Sequence, residues 1–362
     1  MNEKTTRRIR RAAIGAGVAA VTAAAAVTAE RAAVRRLRSR PDPDRSEDLN
    51  ELPGEQVEVT SFDGTTLHVR MAGPKDAPTL VFLHGITLDM TTWHFQCKHF
   101  SERFRCVLVD QRAHGRSGAP SSGDYSLVAM GKDIHAVLDA VVPEGPAILV
   151  GHSMGGMALL TFARQFPEEF GERVVGAVFV DTAASDLLRD VFGTLGNRVG
   201  WAMRKVGDRF RDHIDAAERL RHRIRGLGAD MIFLTAWASN FGPEASPSHV
   251  EHVARIAAEA PVEVWVHTLR DLVEMDLAHA VEHVRVPSLV IVGDRDLLTP
   301  KTSAQALRAA LPDARAVVIT RAGHIAMLER HEVFNDILEG YLEQMLAVEK
   351  GRRRRGERTA QA

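Results

Sequence analysis

The chain has 362 residues, of which 45% are hydrophobic and 26% are charged, so it is long enough for one large core and has the composition of a globular protein. Its two cysteines, Cys97 and Cys106, do not indicate a disulfide framework. A bridge between them is geometrically possible, but we expect free thiols packed near a sheet. The sequence contains no metal-ligand cluster and no phosphate-binding loop, so we expect neither a metal nor a cofactor.

The chain begins with an uncharged, Ala-rich stretch over residues 12–29, with arginines on both sides of it. Eighteen residues is the lower limit for crossing a bilayer. We interpret the stretch as a single membrane span or signal anchor, with the side of the membrane left open. A cleaved signal peptide is an alternative, although basic residues straight after the stretch oppose export. A helix that never meets lipid, in a cytoplasmic protein, is the other alternative.

Both ends of the chain are basic and the middle is acidic. Residues 1–40 carry ten Lys or Arg and two Glu, and residues 350–362 carry six Lys or Arg and one Glu, in a chain of formal net charge −1. Such tails are suited to the headgroups of an anionic membrane surface, while Arg352–Arg355 can also be a solvated disordered tail. An acidic body without a binding motif argues against nucleic acid. Residues 41–53, which contain three prolines, predict a linker.

Short apolar runs then alternate with helical patterns, which favours a parallel sheet. The first two runs flank Asp63-Gly64, a hairpin signal. The predicted strands cover residues 57–62, 65–71, 79–83, 105–109, 147–150, 174–180, 286–292 and 316–320.

The strand at 147–150 leads into Gly151-His152-Ser153-Met154-Gly155-Gly156, and a helical pattern follows it. In this setting G-x-S-x-G is typical of a turn that holds a nucleophilic serine at the top of a sheet. The alternative is a Gly/Ser turn that only joins a strand to a helix. A serine nucleophile also needs a base, an acid and an oxyanion hole.

Candidates for the acid and the base follow Ser153 in the order that such a site requires. Asp296 and Asp294 both come just after the strand at 286–292, and His324 comes after the strand at 316–320. We favour Asp296, because it lies further into its loop, and expect Asp294 to brace the loop or to pair with Arg295. Asp181 is an outside candidate.

The oxyanion hole is predicted from two backbone amides. His84-Gly85 follows the strand at 79–83 and can aim the Ile86 N–H at the site, and the Met154 N–H comes next after Ser153. His84-Gly85 can also be a plain strand-ending turn. The turn from Asp110 to Ser117 is rich in Gly and Arg, and binding of an anion is one interpretation of it. We favour packing beside the oxyanion loop, with Asp110 and Arg112 in structural hydrogen bonds.

Together these residues resemble the α/β-hydrolase family over roughly residues 57–347. The resemblance implies an α/β fold with a mostly parallel eight-stranded sheet, helices on both faces and an inserted helical lid. It also implies a Ser153-Asp296-His324 triad with an Ile86/Met154 oxyanion hole. Ser153 argues against epoxide hydrolases and haloalkane dehalogenases, which have Asp at that position. The G-H-S-M-G-G form is similar to that of monoacylglycerol lipases and small-ester hydrolases.

The expected domains are an N-terminal segment and linker at 1–53, a core at 54–183 and 285–347, a helical lid at 184–284 and a basic tail at 348–362. Trp93 and Trp237 are candidate substrate-binding residues, although aromatic residues of the lid are also explained as its own core. The expected reaction is hydrolysis of a lipid or small apolar carboxylic ester. Cofactor-free peroxidase or C–C hydrolase chemistry with the same triad and a non-catalytic scaffold are the alternatives, and the oligomeric state is open.

Overall fold

The computed structural model of the protein describes residues 28–185 and 228–360, together with the single positions 201, 205, 214, 216, 218 and 219. Apart from residues 28 and 29, the predicted membrane span at 12–29 lies outside this part of the chain. Among the described residues, no helix has both the length and the apolar character needed to cross a bilayer.

Eight strands form one sheet in the order β1-β2-β4-β3-β5-β6-β7-β8. The pairs β1–β2 and β2–β4 are antiparallel and the other five pairs are parallel, which confirms the predicted, mostly parallel sheet. The strands are β1 Glu55–Thr60, β2 Thr66–Ala72, β3 Thr79–Leu83, β4 Arg105–Val109, β5 Ala147–His152, β6 Val174–Val180, β7 Ser288–Gly293 and β8 Ala314–Ile319.

The strand order reverses at β3, which lies between β4 and β5. The next strand in the chain, β4, lies on one side of β3, and the one after it, β5, lies on the other side. Open α/β sheets bind their ligands at such a switch point, outside the carboxyl ends of the strands. The turns that follow β3 and β5 are therefore where a site is expected, and these turns contain His84-Gly85 and Ser153.

Helices cover both faces of the sheet. Leu80 and Phe82 of β3 belong to one buried apolar cluster, while Val81 and Leu83 of the same strand belong to a second cluster on the opposite face. The last helix packs into the first cluster, and the helices before and after β5 pack into the second. The helices are α1 at 28–38, α2 His94–Phe100, α3 Leu127–Val141, α4 Met154–Gln165, α5 Ala229–Asn240, α6 Pro247–Glu259, α7 Leu269–Glu274, α8 Lys301–Ala310, α9 Ala326–Glu329 and α10 His331–Ala360.

The predicted lid falls between β6 and β7. In its described part, residues 228–284, the backbone forms α5, α6, a π-helical turn at Val264–Thr268, α7 and a 3₁₀ turn at Ala278–His283. This part is helical, as expected. Its movement as a lid stays a prediction.

The segment predicted as a linker, residues 41–53, is instead packed against this helical insertion. Asp42 accepts hydrogen bonds from the amide N–H of Ser248, at 3.1 Å, and from its hydroxyl, at 2.6 Å. Just before the segment, Arg38 contacts Asp230 at 3.1 Å and Glu251 at 2.9 Å. Asp42 and Arg38, which are polar residues of a kind typical of solvated linkers, thus contact residues that are distant in the sequence. We call residues 38–52 the N-terminal arm.

The C-terminal end also differs from a disordered tail. The backbone of α10 continues as a helix to Ala360, through most of the segment predicted as a basic tail. Leu338 and Leu342 of this helix are fully buried in the core. The first half of α10 is therefore fixed on the sheet, and its second half contains Arg352–Arg355.

Candidate active site

Ser153 lies in a strained turn between β5 and α4. Its backbone has φ 50° and ψ −117°, which is rare for a residue with a side chain. The glycines on either side of it explain how the turn fits. A Cβ atom on Gly151 would lie 2.6 Å from the Gly156 nitrogen, and one on Gly155 would lie 2.4 Å from the Leu83 oxygen. The G-x-S-x-G pattern thus reflects a turn with no room for larger residues at either glycine.

Asp296 and His324 form a buried hydrogen-bonded pair. His324 Nδ1 lies 2.9 Å from Asp296 Oδ2, and both residues are at most 5% exposed. The other oxygen of Asp296, Oδ1, accepts from the backbone N–H groups of Leu298 and Thr299, at 2.8 and 3.0 Å. Because an ionised carboxylate only accepts, His324 Nδ1 donates and its Nε2 is left as an acceptor.

The environment of Asp296 favours its charged form. Burial, the largest effect, raises the pKa of this carboxyl group, but the charge and hydrogen bond of His324 and the donors of Thr299 together hold its pKa below the ordinary value. The Thr299 hydroxyl donates to Asp296 Oδ2 at 2.6 Å. Asp296 is thus arranged to stay ionised and to fix one tautomer of His324.

The two other candidate acids have different partners. Asp294 accepts a hydrogen bond from the Arg321 N–H at 2.6 Å and lies 3.8 Å from Arg295, so it braces its loop in the way the sequence suggested. Asp181 accepts from the N–H of Gly293 at 2.8 Å and from that of Ala326 at 3.4 Å. Burial, and then the charge of Asp296, raise the pKa of Asp181 well above its ordinary value.

His152 connects the serine turn to the His324 loop. Its Nε2 lies 2.8 Å from the main-chain oxygen of His324, and the two ring centroids are 4.9 Å apart. Since a carbonyl oxygen only accepts, Nε2 carries the proton. Burial, followed by the charge of His324, lowers the pKa of His152 well below its ordinary value, so the ring is neutral. Sequence reasoning missed this role, and the only signal was the middle position of the Gly151-His152-Ser153 turn.

The turn after β3 packs directly against the serine turn. A Cβ on Gly155 would meet the main-chain oxygens of Leu83 and His84, and one on Gly85 would lie 2.8 Å from His152 Nδ1. The segments that hold the two predicted oxyanion donors, Ile86 and Met154, are therefore in contact. Met154 is the first residue of α4, where backbone N–H groups have no partner within the helix.

His84 fixes the shape of the turn after β3. Its Nδ1 lies 2.8 Å from the Gly85 oxygen, and its Nε2 accepts from the Gln111 N–H at 3.0 Å. Burial lowers the pKa of His84, which keeps this arrangement neutral. The sequence indicated His84 only as part of a turn motif, whereas in the structure its hydrogen bonds hold the turn in shape.

The turn from Asp110 to Ser117 is structural, as predicted. Asp110 accepts from the N–H groups of Met90, at 2.8 Å, and Arg116, at 2.9 Å, and contacts His68 Nδ1 at 3.0 Å. Arg112 forms a two-pronged, fully buried pair with Asp133, at 2.6 and 2.7 Å.

Both tryptophans proposed for substrate binding make packing contacts. Trp93 is completely buried, with ring centroids 5.1 Å from Phe82 and 6.5 Å from His152, so it supports the site from within the core. Trp237 of α5 is half-buried, and Arg40 of the arm lies over its ring at 5.6 Å. Contact of either ring with substrate stays a prediction.

Comparison with known proteins shows the family of this chain. The family model of the alpha/beta hydrolase fold matches residues 78–331. The chain belongs to the α/β-hydrolase family. Within this family, the hydrolase is 27% identical over 274 residues to the 3-oxoadipate enol-lactonase 2 of Acinetobacter baylyi, a match that covers 75% of this chain and 90% of that protein.

Two further similarities agree with this assignment. A putative carbamate hydrolase, RutD of Escherichia coli, is 24% identical over 280 residues, with 75% of this chain and 93% of that protein covered. A solved esterase from Thermogutta terrifontis shares the fold, with a TM-score of 0.64 and 22% identity over 81% of this chain and 99% of that one. The protein is thus a hydrolase by family, and the solved esterase shares its fold.

Proposed function

We propose that the protein is a serine hydrolase that cleaves a carboxylic ester through a Ser153-His324-Asp296 triad. The observation that carries the proposal is the buried 2.9 Å hydrogen bond between His324 and Asp296, tied through His152 to the strained turn of Ser153. A hydroxyl is a poor nucleophile without an adjacent base, and a base needs a fixed tautomer to accept its proton.

In the first half of the reaction, Ser153 Oγ attacks the ester carbonyl carbon as His324 Nε2 takes its proton. The resulting imidazolium is stabilised by Asp296, which accepts the Nδ1 hydrogen bond. The oxyanion is held by the N–H groups of Ile86 and Met154. Met154 lies at the start of α4, where the helix dipole also favours negative charge. His324 then gives its proton to the leaving alcohol, and an acyl group stays on Ser153.

In the second half, His324 takes a proton from water as the water oxygen attacks the acyl carbon. Collapse of the second tetrahedral intermediate releases the carboxylic acid and returns the proton from His324 to Ser153 Oγ. The low pKa of the buried His152 keeps that ring neutral beside the imidazolium, which avoids repulsion between two charged histidines.

The substrate class that we propose is a lipid or small apolar ester, open or cyclic. Leu297 and Leu298, which directly follow the proposed acid, are 65% and 38% exposed. We infer that they form an apolar edge at the rim of the site. An enol-lactonase and an esterase are among the relatives, and a lactone is an internal ester, so the same attack opens the ring.

The test combines labelling and turnover. A fluorophosphonate probe should label the wild type and not the Ser153→Ala variant. Turnover of p-nitrophenyl esters from acetate to palmitate should fall strongly in His324→Ala, and the profile across chain lengths gives the acyl preference. Equal labelling of wild type and Ser153→Ala would contradict the proposal, and turnover that survives His324→Ala would also do so. A protein without turnover on any ester or lactone would fit the scaffold alternative.

A further inference from the structure

The loop of His324 is bonded directly to the end of α5 in the helical insertion. The Ile325 N–H donates to the Asn240 main-chain oxygen at 3.2 Å. Asn240 is the last residue of α5, where main-chain oxygens have no partner within the helix. The residue after the proposed base thus pairs with an acceptor that the helix itself leaves free.

The carboxylate of Glu329, at the end of α9, makes a second connection between the same two segments. Its Oε2 accepts from the Gly323 N–H at 2.7 Å, and both of its oxygens accept from the Gly242 N–H, at 2.9 and 3.0 Å. Gly323 directly precedes His324, and Gly242 follows closely after the end of α5. One side chain therefore bridges a neighbour of the proposed base and a residue of the insertion.

The two segments are also in backbone contact. A Cβ atom on Gly323 would lie 2.5 Å from the Asn240 main-chain oxygen, and one on Gly242 would lie 2.4 Å from the Arg321 main-chain oxygen. Larger residues at either glycine would force the segments apart. The glycines thus permit the close approach that lets Glu329 reach both N–H groups.

The surroundings of Glu329 show what holds its side chain. A buried carboxylate costs free energy unless donors satisfy it. Burial, the largest effect, raises the pKa of Glu329 above its ordinary value, and the N–H groups of Gly323 and Gly242 are the strongest of the effects that lower it. The side chain is therefore held by the same two N–H groups that it joins.

We propose that Glu329 is a positioning residue for His324 and that the end of α5 is a fixed part of the active-site framework. The proposal rests on the proposed function, in which His324 is the base. Glu329 acts through the Gly323 N–H, which fixes the backbone from which the imidazole projects. Because the Asn240 oxygen holds the other side of His324, a displacement of α5 also displaces the base. Hydrolysis then depends on the insertion as well as on the core.

Steady-state kinetics on a p-nitrophenyl ester test the effect on catalysis. Glu329→Met removes both acceptor oxygens at similar size, and we expect kcat to fall about 10- to 100-fold with KM within about threefold, since a small displacement of the base slows the chemistry. Glu329→Gln keeps one oxygen, which can accept from both N–H groups as Oε2 does, and should recover most of the loss. Glu332→Met removes an exposed carboxylate at the start of α10 and should keep the wild-type kcat.

Amide hydrogen exchange, followed by NMR, tests the connection itself and needs no ester turnover. In the unaltered protein the Gly242 and Gly323 N–H groups should both be protected. In Glu329→Met both should exchange about 10- to 100-fold faster, because each loses a charged acceptor. Glu332→Met should leave both exchange rates unchanged.

The outcomes separate this proposal from the proposed function. Wild-type kcat in Glu329→Met, or an equal loss of kcat in Glu329→Met and Glu329→Gln, would overturn the positioning role and leave the hydrolase activity standing. A wild type without ester turnover would overturn the proposed function and, with it, the role in catalysis, while exchange would still decide whether Glu329 joins the two segments. A Gly242 N–H that exchanges freely in the wild type would overturn the proposal even where Glu329→Met does not fold.

Discussion

His152 donates a hydrogen bond from its Nε2 to the main-chain oxygen of His324, at 2.8 Å, and both residues are buried. The bond joins two segments that are distant in the chain: the turn of the proposed nucleophile and the loop of the proposed base. Behind His152, Trp93 contacts its ring edge-on. We infer that His152 sets the distance between Ser153 and His324 and that Trp93 supports it.

Removing the His152 hydrogen bond should slow catalysis more than it weakens substrate binding. In His152→Phe the loop of His324 loses its link to the serine turn, and a shift of about 1 Å in such a site costs about 100-fold in rate. We expect kcat on a p-nitrophenyl ester to fall about 10- to 100-fold with little change in KM. His152→Gln, which keeps a donor, should recover most of the loss. Equal kcat values in His152→Phe and His152→Gln, whether both are low or both are unchanged, would show that the bond does not position His324.

The choice between two neighbouring aspartates is open to a matched comparison. Asp296→Asn should reduce kcat by about four orders of magnitude, because an amide in that place favours the wrong tautomer of the histidine. Asp294→Asn should leave kcat within about twofold, since Asp294 bonds the Arg321 N–H and not His324. Both variants are measured by steady-state kinetics, with thermal unfolding as the check on folding. A greater loss in Asp294→Asn would identify Asp294 as the acid.

The neutral, buried His252 should make stability dependent on pH. Arg255 donates to its Nδ1, at 3.3 Å, and its Nε2 lies 2.8 Å from the Thr91 hydroxyl. Burial, and then the charge of Arg255, lower the pKa of His252 to about 3. Between pH 3 and 6.5 the unfolded chain therefore binds one more proton than the folded one, so this contribution is complete above pH 6.5 and is lost as the pH falls. The loss from pH 7 to pH 5 is about 2 kcal/mol.

The measurement is the free energy of unfolding in urea at pH 7 and pH 5. His252→Gln should lose about 2 kcal/mol less than the wild type over this interval. The exposed His279 provides the control, and His279→Gln should have the pH dependence of the wild type. A His252→Gln variant with an unchanged pH dependence would mean that His252 titrates in the folded protein as it does in the unfolded chain.

Asp42 of the N-terminal arm acts as the cap of α6. This helix begins at Pro247, and its own N-cap residue, Ser246, makes no side-chain capping bond. Asp42 supplies the missing acceptor for the Ser248 N–H. Asp42→Ala should cost about 0.5–2 kcal/mol in the free energy of unfolding and should increase hydrogen exchange in α6. Asp48, whose side chain bonds the nearby Asn50, is the control. Equal exchange in Asp42→Ala and Asp48→Ala would argue against this capping role.

The sequence predicted most of the sheet and the order of the site residues, because these signals are local. Strands such as β3, β4 and β6 are short apolar runs with clear ends, and their bounds agree with the prediction. G-x-S-x-G likewise marks a turn in which bulky side chains do not fit, and Asp294 and Asp296 were both visible after β7. Which of them reaches His324 depends on how two loops meet.

Contacts between distant segments could not be predicted in this way. The bond between His152 and His324 joins positions 172 residues apart, and Asp42 lies 206 residues before Ser248. A proline-rich, charged segment is typical of a solvated linker, so the packed arm gave no local signal.

The central claim is that Ser153 forms a covalent acyl intermediate with the help of His324 and Asp296. The most direct measurement is rapid acid quenching of the protein with p-nitrophenyl butyrate, followed by peptide mass spectrometry. We predict a butyryl group on the peptide that contains Ser153 in the wild type, its accumulation during the first turnover, and its absence in Ser153→Ala. Ester turnover without any acylated Ser153 peptide, or with the acyl group on another residue, would contradict the account.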